Sequence, residues 1–159
     1  MIVVSDTSPI CYLLLIGEIE LLPQLYGQVI IPRTVAEELS DERSPTVVRN
    51  WIKTPPKWII IADIAVYADK DLDILNAGEK AAISLAIKGG ANLIIMDEAL
   101  GRKVARNKGL KVTGLLGILD RAAQQNLVDF PQAIAALKKT TFRASSKLIE
   151  SLLSQYYST

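Results

Sequence analysis

Histidine is absent from the chain. A Ser-His-Asp or Cys-His nucleophile, an HExxH zinc site and a two-histidine ribonuclease mechanism are therefore excluded. Any hydrolysis has to rely on carboxylates, lysine, tyrosine or an ion held by oxygen. Cysteine is nearly absent as well. The single Cys11 can form neither an internal disulfide nor a thiolate metal site, and its place in the run CYLLLI reads as a buried small hydrophobe. Long apolar runs are missing too. The longest early one, Ile10 to Ile16, stops at Gly17-Glu18, far short of the ~20 residues of a membrane span. The N-terminus lacks the basic region that opens a signal peptide, so a cytoplasmic location without a membrane partner is expected. Nor does one sign of charge dominate. With 18 basic and 17 acidic residues the net charge is +1, and any nucleic-acid surface has to be local.

What remains is a 159-residue chain, half of it apolar, that is large enough for one core. Short β-rich runs alternate with amphipathic stretches. Ile2 to Ser5, Val29 to Ile31, Trp58 to Ala62, Leu93 to Met96 and Leu110 to Thr113 read as strands. Ser8 reads as a helix N-cap with Pro9 in the first helical position, and Pro32 closes the second strand before a helix near Arg33. Strands apolar on both faces and separated by helices predict a mainly parallel five-stranded sheet in a three-layer α/β/α sandwich. No repeat or linker divides residues 1–159, so one domain is expected.

Ligands of such sheets sit beyond the carboxyl ends of the strands. Asp6 ends the first strand and Asp97 the fourth. Asp6 has a structural reading as an Asx-turn or first-turn charge, weakened because Ser8-Pro9 already supplies a cap. Asp97 has a stronger one, since Asp is among the best N-caps. Glu98 beside it reads either as a first-turn charge or as an extra ligand. Asn76 and Glu79 match a capping box, yet Glu79 shares a helix face with Ala82, Ile83 and Ala86. Lys80, Ser84 and Lys88 form a separate stripe that reads as solvated. In TVAEEL, Val35, Ala36 and Leu39 set the apolar face. Glu38 borders it and Glu37 lies nearly opposite, which favours Glu38. Four clustered carboxylates repel one another unless a cation neutralises them. Oxygen ligands favour Mg²⁺ or Mn²⁺, and such an ion activates water and stabilises a phosphate under attack.

These segments together resemble the PIN-domain family, in its prokaryotic, VapC-like ribonucleases, over essentially the whole chain. VVSDTSP resembles the first-strand motif, with Asp6 as its acid and Thr7-Ser8 as the accompanying hydroxyls. TVAEEL resembles the second acid motif, with Glu38 as its glutamate. AGEKAAISLA resembles the segment of the third acid, with Glu79 where many members have Asp. IIMDEALGRKVARNKGLKVTGLLGIL resembles the last acid and its following helix-strand-helix unit. FRASSKLIESLL is similar to the tail of a prokaryotic subgroup. The resemblance implies a catalytic set of Asp6, Glu38, Glu79 and Asp97, with Asp6, Glu79 and Asp97 as metal ligands. It also implies Mg²⁺- or Mn²⁺-dependent endoribonuclease activity. It further implies a toxin role in a toxin–antitoxin pair, silenced by a small antitoxin, with a homodimer expected.

Arg102, Lys103 and Arg106, followed by Lys108 and Lys111, form a basic run that reads either as an ordinary solvated face or as a guide for RNA phosphates. Ser8 and Thr113 are counted as nucleic-acid contacts with the first three. Trp51 and Trp58 read as packing rather than base stacking. An amphipathic helix is expected at about 145–157, with Leu148, Leu152 and Tyr156, and Ile149, Leu153 and Tyr157, on its apolar side. It either covers the core, pairs subunits or receives an antitoxin helix. The competing function is a non-catalytic module that binds nucleic acid or protein and keeps its acids as caps. A haloacid-dehalogenase-like phosphatase fits less well, because Ser8 occupies the position of its second Asp.

Overall fold

The computed structural model describes residues 1–157. Its strands are β1 (Val3–Ser5), β2 (Val29–Pro32), β3 (Ile59–Ala62), β4 (Leu93–Ile95) and β5 (Val112–Thr113). Helices α1 (Thr7–Leu15) and α2 (Leu21–Tyr26) lie between β1 and β2. Next, α3 (Arg33–Ser40) and α4 (Thr46–Lys53) lead to β3, and α5 (Ala77–Lys88) leads to β4. The series ends with α6 (Ala99–Asn107) before β5, then α7 (Leu115–Gln124), α8 (Phe130–Lys138) and α9 (Ser146–Tyr157). The strand order is β3-β2-β1-β4-β5, and all pairings are parallel. Each expected strand is present, and the sheet is wholly rather than mainly parallel.

Alternation along the strands divides the interior into two cores. Val3 and Ile95 join the core that α1, α2, α3, α4, α7 and α8 cover. Val4, Ile94 and Met96 join the opposite core, under α5 and α6. With successive side chains on opposite faces, a sheet buried on both sides needs apolar residues throughout, and the central strands supply them. The result is a three-layer α/β/α sandwich.

Two packing expectations need correction. Ser84 is fully buried instead of solvated. The irregular stretch before α5 lies across it, and the Tyr67 amide donates to its hydroxyl at 3.2 Å. Lys88 reaches the Ala65 carbonyl at 2.9 Å and sits over the Tyr67 ring. Cys11 is half-buried, packed against the first core rather than enclosed by it. Trp51 and Trp58 pack on the same core with ring centroids 5.9 Å apart.

Helix α9 lays Ile149, Leu152, Leu153 and Tyr156 on the first core, while Leu148 and Tyr157 stay exposed. The Tyr156 ring stacks on Phe130 at 4.7 Å, and its hydroxyl donates to the Asp120 carboxylate at 2.5 Å. Burial and that carboxylate push the phenol up to about 12. Among the described residues, no helix is long and apolar enough to cross a membrane.

If Tyr156 fastens α9, urea unfolding should separate its two contributions. Tyr156→Phe keeps the stack and should cost about 1 kcal/mol. Tyr156→Ala also loses the ring and should cost about 2 kcal/mol more. Equal losses would show that the ring does not hold the helix.

Candidate functional site

Asp6 leaves β1 at the centre of the sheet. Its strand has β2 on one side and β4 on the other, and the chain crosses in opposite directions to reach them. A crevice opens at such a switch point. Asp6 holds the cap position of α1 in extended backbone (φ −82°, ψ 178°), but its carboxylate makes no capping bond. The helix thus starts at Thr7, two residues ahead of the Ser8-Pro9 start expected. Pro9 is still accommodated in the first turn, where amides have no intrahelical partner. The Asp6 side chain is only 6% exposed and is left free of that structural task.

Glu38 and Glu79 reach the same cleft from different elements, while Asp97 opens beside it. Glu79 is 5% exposed near the start of α5. The capping box is complete, with the Glu79 amide donating to Asn76 at 2.9 Å and the Asn76 amide donating to Glu79 Oε1 at 3.1 Å. Its Oε2 lies towards Gly101 of α6. Glu38 is half-buried on α3 and accepts a hydrogen bond from the Thr7 hydroxyl, whereas Glu37 is exposed. Helix α5 approaches Glu38 so closely that a Cβ on Gly78 would sit 2.8 Å from its Cδ.

Asp97 does not cap the helix after it, as its position suggested. Glu98 takes the α6 cap position, without a side-chain bond. Asp97 Oδ1 instead accepts from the Leu115 amide at 2.7 Å, at the start of α7. Asp97 Oδ2 is buried and has no partner, and the same holds for Arg102 Nε. Gly114 leaves room for both groups, since a Cβ there would fall 2.9 Å from Asp97 Oδ1 and 3.2 Å from Arg102 Nη1.

Burial dominates the electrostatics. It raises the Asp6 carboxyl to about 7, with the Thr7 amide opposing and Glu79, Glu38 and Asp97 adding to the rise. Glu79 is also raised, by burial first, against the Asn76 amide and with Glu98 and Glu38 contributing. Asp97 is raised by burial, relieved by the Leu115 amide and the Arg102 charge, and raised again by Glu98. The four sequence-chosen acids therefore act on one another around Asp6. Glu98 acts on two of them.

These groups line two adjoining cavities. Asp6, Glu38, Glu79 and Glu98 face a cleft of about 470 Å³ together with Thr7 and Asn76. Asp97 opens onto a neighbouring cavity of about 670 Å³, and Ser8 and Glu98 line both. Among the described residues, no three acidic or thiol side chains close into a ready-made ligand set. The donors nevertheless suit a hard divalent cation. They are all oxygens, one buried carboxylate oxygen has no partner, and burial with mutual repulsion disfavours their charge.

Of the basic run, the structure brings Arg102 to the acids. Lys103, ~100° further round the helix, lines a separate cavity with Lys70 and Lys108. Lys108 itself is held by Asp69 at 2.5 Å and Asp71 at 3.0 Å. Arg106 is exposed and lines neither the cleft nor the cavity beside it. Thr113 lines the larger cavity, and Ser8 stands at the junction. The clearances at Gly78 and Gly114 were not foreseen from the residues alone. The juxtaposition of glycine and acid in AGE was the one available signal.

The fold is a doubly wound parallel α/β domain with acids gathered at its switch point. A PIN-domain family model matches residues 2–158, and the chain belongs to that family, whose members generally use divalent metal ions and often bind RNA and antitoxins. No curated protein and no solved structure matches the chain.

The raised acids fix the sign of a pH effect. The folded state holds the Asp6 proton up to about 7, against 3.8 for the ordinary carboxyl, so this stability is complete in acid and is lost as pH rises through that window. In EDTA, the melting temperature should fall between mildly acidic and alkaline pH, with Asp6 contributing at most roughly 4 kcal/mol. Asp6→Asn should flatten the decline, and a profile unchanged by that substitution refutes the assignment. Gly78→Ala should cost about 1–3 kcal/mol, because the Glu38 carboxylate has to give way. A neutral effect in thermal melts would remove the close approach from the account.

Proposed function

We propose that the chain is an endoribonuclease dependent on Mg²⁺ or Mn²⁺, in which Asp6, Glu79 and Asp97 hold the ion and Glu38 completes the set. The observation that carries this reading is Asp6, enclosed at the switch point and surrounded by three further acids that raise its carboxyl. When bound, the ion supplies charge neutralisation at the phosphate and at the attacking water. The chain's own groups orient the acids. The Thr7 hydroxyl holds Glu38, the Asn76 amide holds one oxygen of Glu79, and the Leu115 amide holds one oxygen of Asp97. Each of the last two then keeps a second oxygen for a ligand. One carboxylate of the set serves as general base, and Arg102 beside Asp97 meets the substrate phosphate. In the same reading the protein is the cytoplasmic toxin of a toxin–antitoxin pair, acts as a homodimer and is silenced by a small antitoxin.

A second reading has an observation of its own. The capping box at Glu79 and the Asp97–Leu115 bond give two acids structural tasks, as a non-catalytic binding module requires. Titrating Mn²⁺ against thermal stability separates the two. A shared carboxylate pocket should be stabilised in the wild type and not in Asp6→Asn, whereas separate caps should not respond. Purified protein should cut single-stranded RNA with Mn²⁺, and Asp6→Asn or Asp97→Asn should lose about a hundredfold or more with the fold retained. Undiminished cleavage in excess EDTA overturns the mechanism.

A further inference from the structure

The acid cleft presents an electrostatic problem to the substrate proposed for it. Asp6, Glu38, Glu79 and Glu98 face it, and Asp41 joins them in its lining. A polyanion approaching these carboxylates is repelled before any contact forms, and one divalent ion offsets only part of that charge. Arg102 supplies positive charge on the Asp97 side, where the neighbouring cavity opens. On the cleft itself, Arg43 is the one basic side chain among the described residues that line it.

Arg43 owes its place to a short connection that is fastened at both ends. Residues 41–45 join α3 to α4. The Ser44 hydroxyl donates to the Glu38 carbonyl at 2.9 Å, which ties the connection to the helix turn carrying one of the acids. Arg49 of α4 donates to the Ser44 carbonyl at 3.0 Å. Within the turn, Asp41 Oδ1 accepts from the Arg43 amide at 2.8 Å and from its Nε at 3.0 Å. Nη2 reaches Asp41 Oδ2 at 3.4 Å, and Nη1 has no partner among the described residues. The Arg43 side chain is 91% exposed, and an ion pair so open to water contributes little to stability. Holding the fold together therefore accounts for little of its placement. The turn instead keeps a planar fork of donors, matched to phosphate, in the wall of a cleft whose other charges are negative.

We infer that Arg43 is a substrate-binding residue, its guanidinium receiving a backbone phosphate of RNA on the Glu38 side of the acid cleft. The inference rests on the nuclease reading of the cleft and adds a contact that reads no base. The polyanion then meets a cation on the Glu38 side as well as on the Asp97 side. Because Nη1 is unspent, the phosphate is accepted without breaking the Asp41 pair. Asp41 meanwhile keeps the guanidinium ordered, which reduces the freedom lost when the contact forms.

The test is the salt dependence of binding without cleavage. Full-length Asp6→Asn protein in EDTA is titrated into two short fluorescent single-stranded RNAs of unrelated sequence, over a range of salt concentrations. Adding Arg43→Gln should weaken both by about three- to fivefold, the scale of one exposed ion pair. It should also lower the slope of log K against log salt by about 0.7, the share of one phosphate on a single strand. Arg43→Lys should restore the slope, because it keeps the charge while giving up the fork. Affinity and slope both unchanged in Arg43→Gln overturn the inference. So does a loss that leaves the slope alone and that lysine does not rescue, which assigns Arg43 to shaping the turn. A loss confined to one sequence overturns it too, since a phosphate contact is blind to sequence. Mn²⁺ stabilisation of the wild type in thermal melts reads the acids and not Arg43. Its absence beside the expected Arg43 effect fails the nuclease reading, whereas its presence with an unaltered slope fails the phosphate contact.

Discussion

A carboxylate enclosed at the centre of a parallel sheet is the constraint around which this molecule is organised. Asp6 follows three fully buried strand residues and is itself only 6% exposed, at the floor of the cleft. Charge there is opposed by desolvation and by three neighbouring acids, and only the Thr7 amide relieves it. The surroundings make the position tenable without removing the tension. Glycines at 78 and 114 let α5 and the start of α7 approach the companion acids closely. Single hydrogen bonds then fix Glu38, Glu79 and Asp97 while leaving oxygens unspent. An arrangement that leaves buried acceptor capacity of this kind is costly unless something else occupies it.

Much of this could be read from the sequence, for local reasons. Strands buried on both faces announce themselves as continuous apolar runs, so Asp6 and Asp97 could be set at strand ends without knowledge of the fold. Helical angle alone separated Glu38 from Glu37. The Asn76–Glu79 spacing encoded the cap and the inward face together. What escaped reading depends on partners far along the chain. The amide that engages Asp97 is on Leu115, across β5. Ser84 is covered by an irregular stretch whose residues show no periodicity. The basic run looked like one surface because its residues are consecutive, but the helix turns Lys103 away from Arg102 and Arg106 lies a turn further on, so that among the described residues of the run Arg102 meets the acids.

The C-terminal segment illustrates how one element serves two ends. Tyr156 fastens α9 to Phe130 and Asp120, and the turns before that anchor supply the outer wall of the cavity next to Asp97. The apolar stripe that marked this helix in the sequence is spent largely on the core. Leu148, which stays exposed, falls at the cavity edge.

The acids also come from all three layers of the sandwich. Glu38 belongs to the helices over one face, Glu79 to those over the other, and Asp6 and Asp97 to the sheet between them. Parts of a fold commonly open as separate cooperative units, each with its own protection against amide exchange. Anything that bridges these side chains would act as a rivet through the whole stack. The amides of α3 and α5, whose helices cover different faces of the sheet and meet where Gly78 approaches Glu38, would then open and close as a single unit.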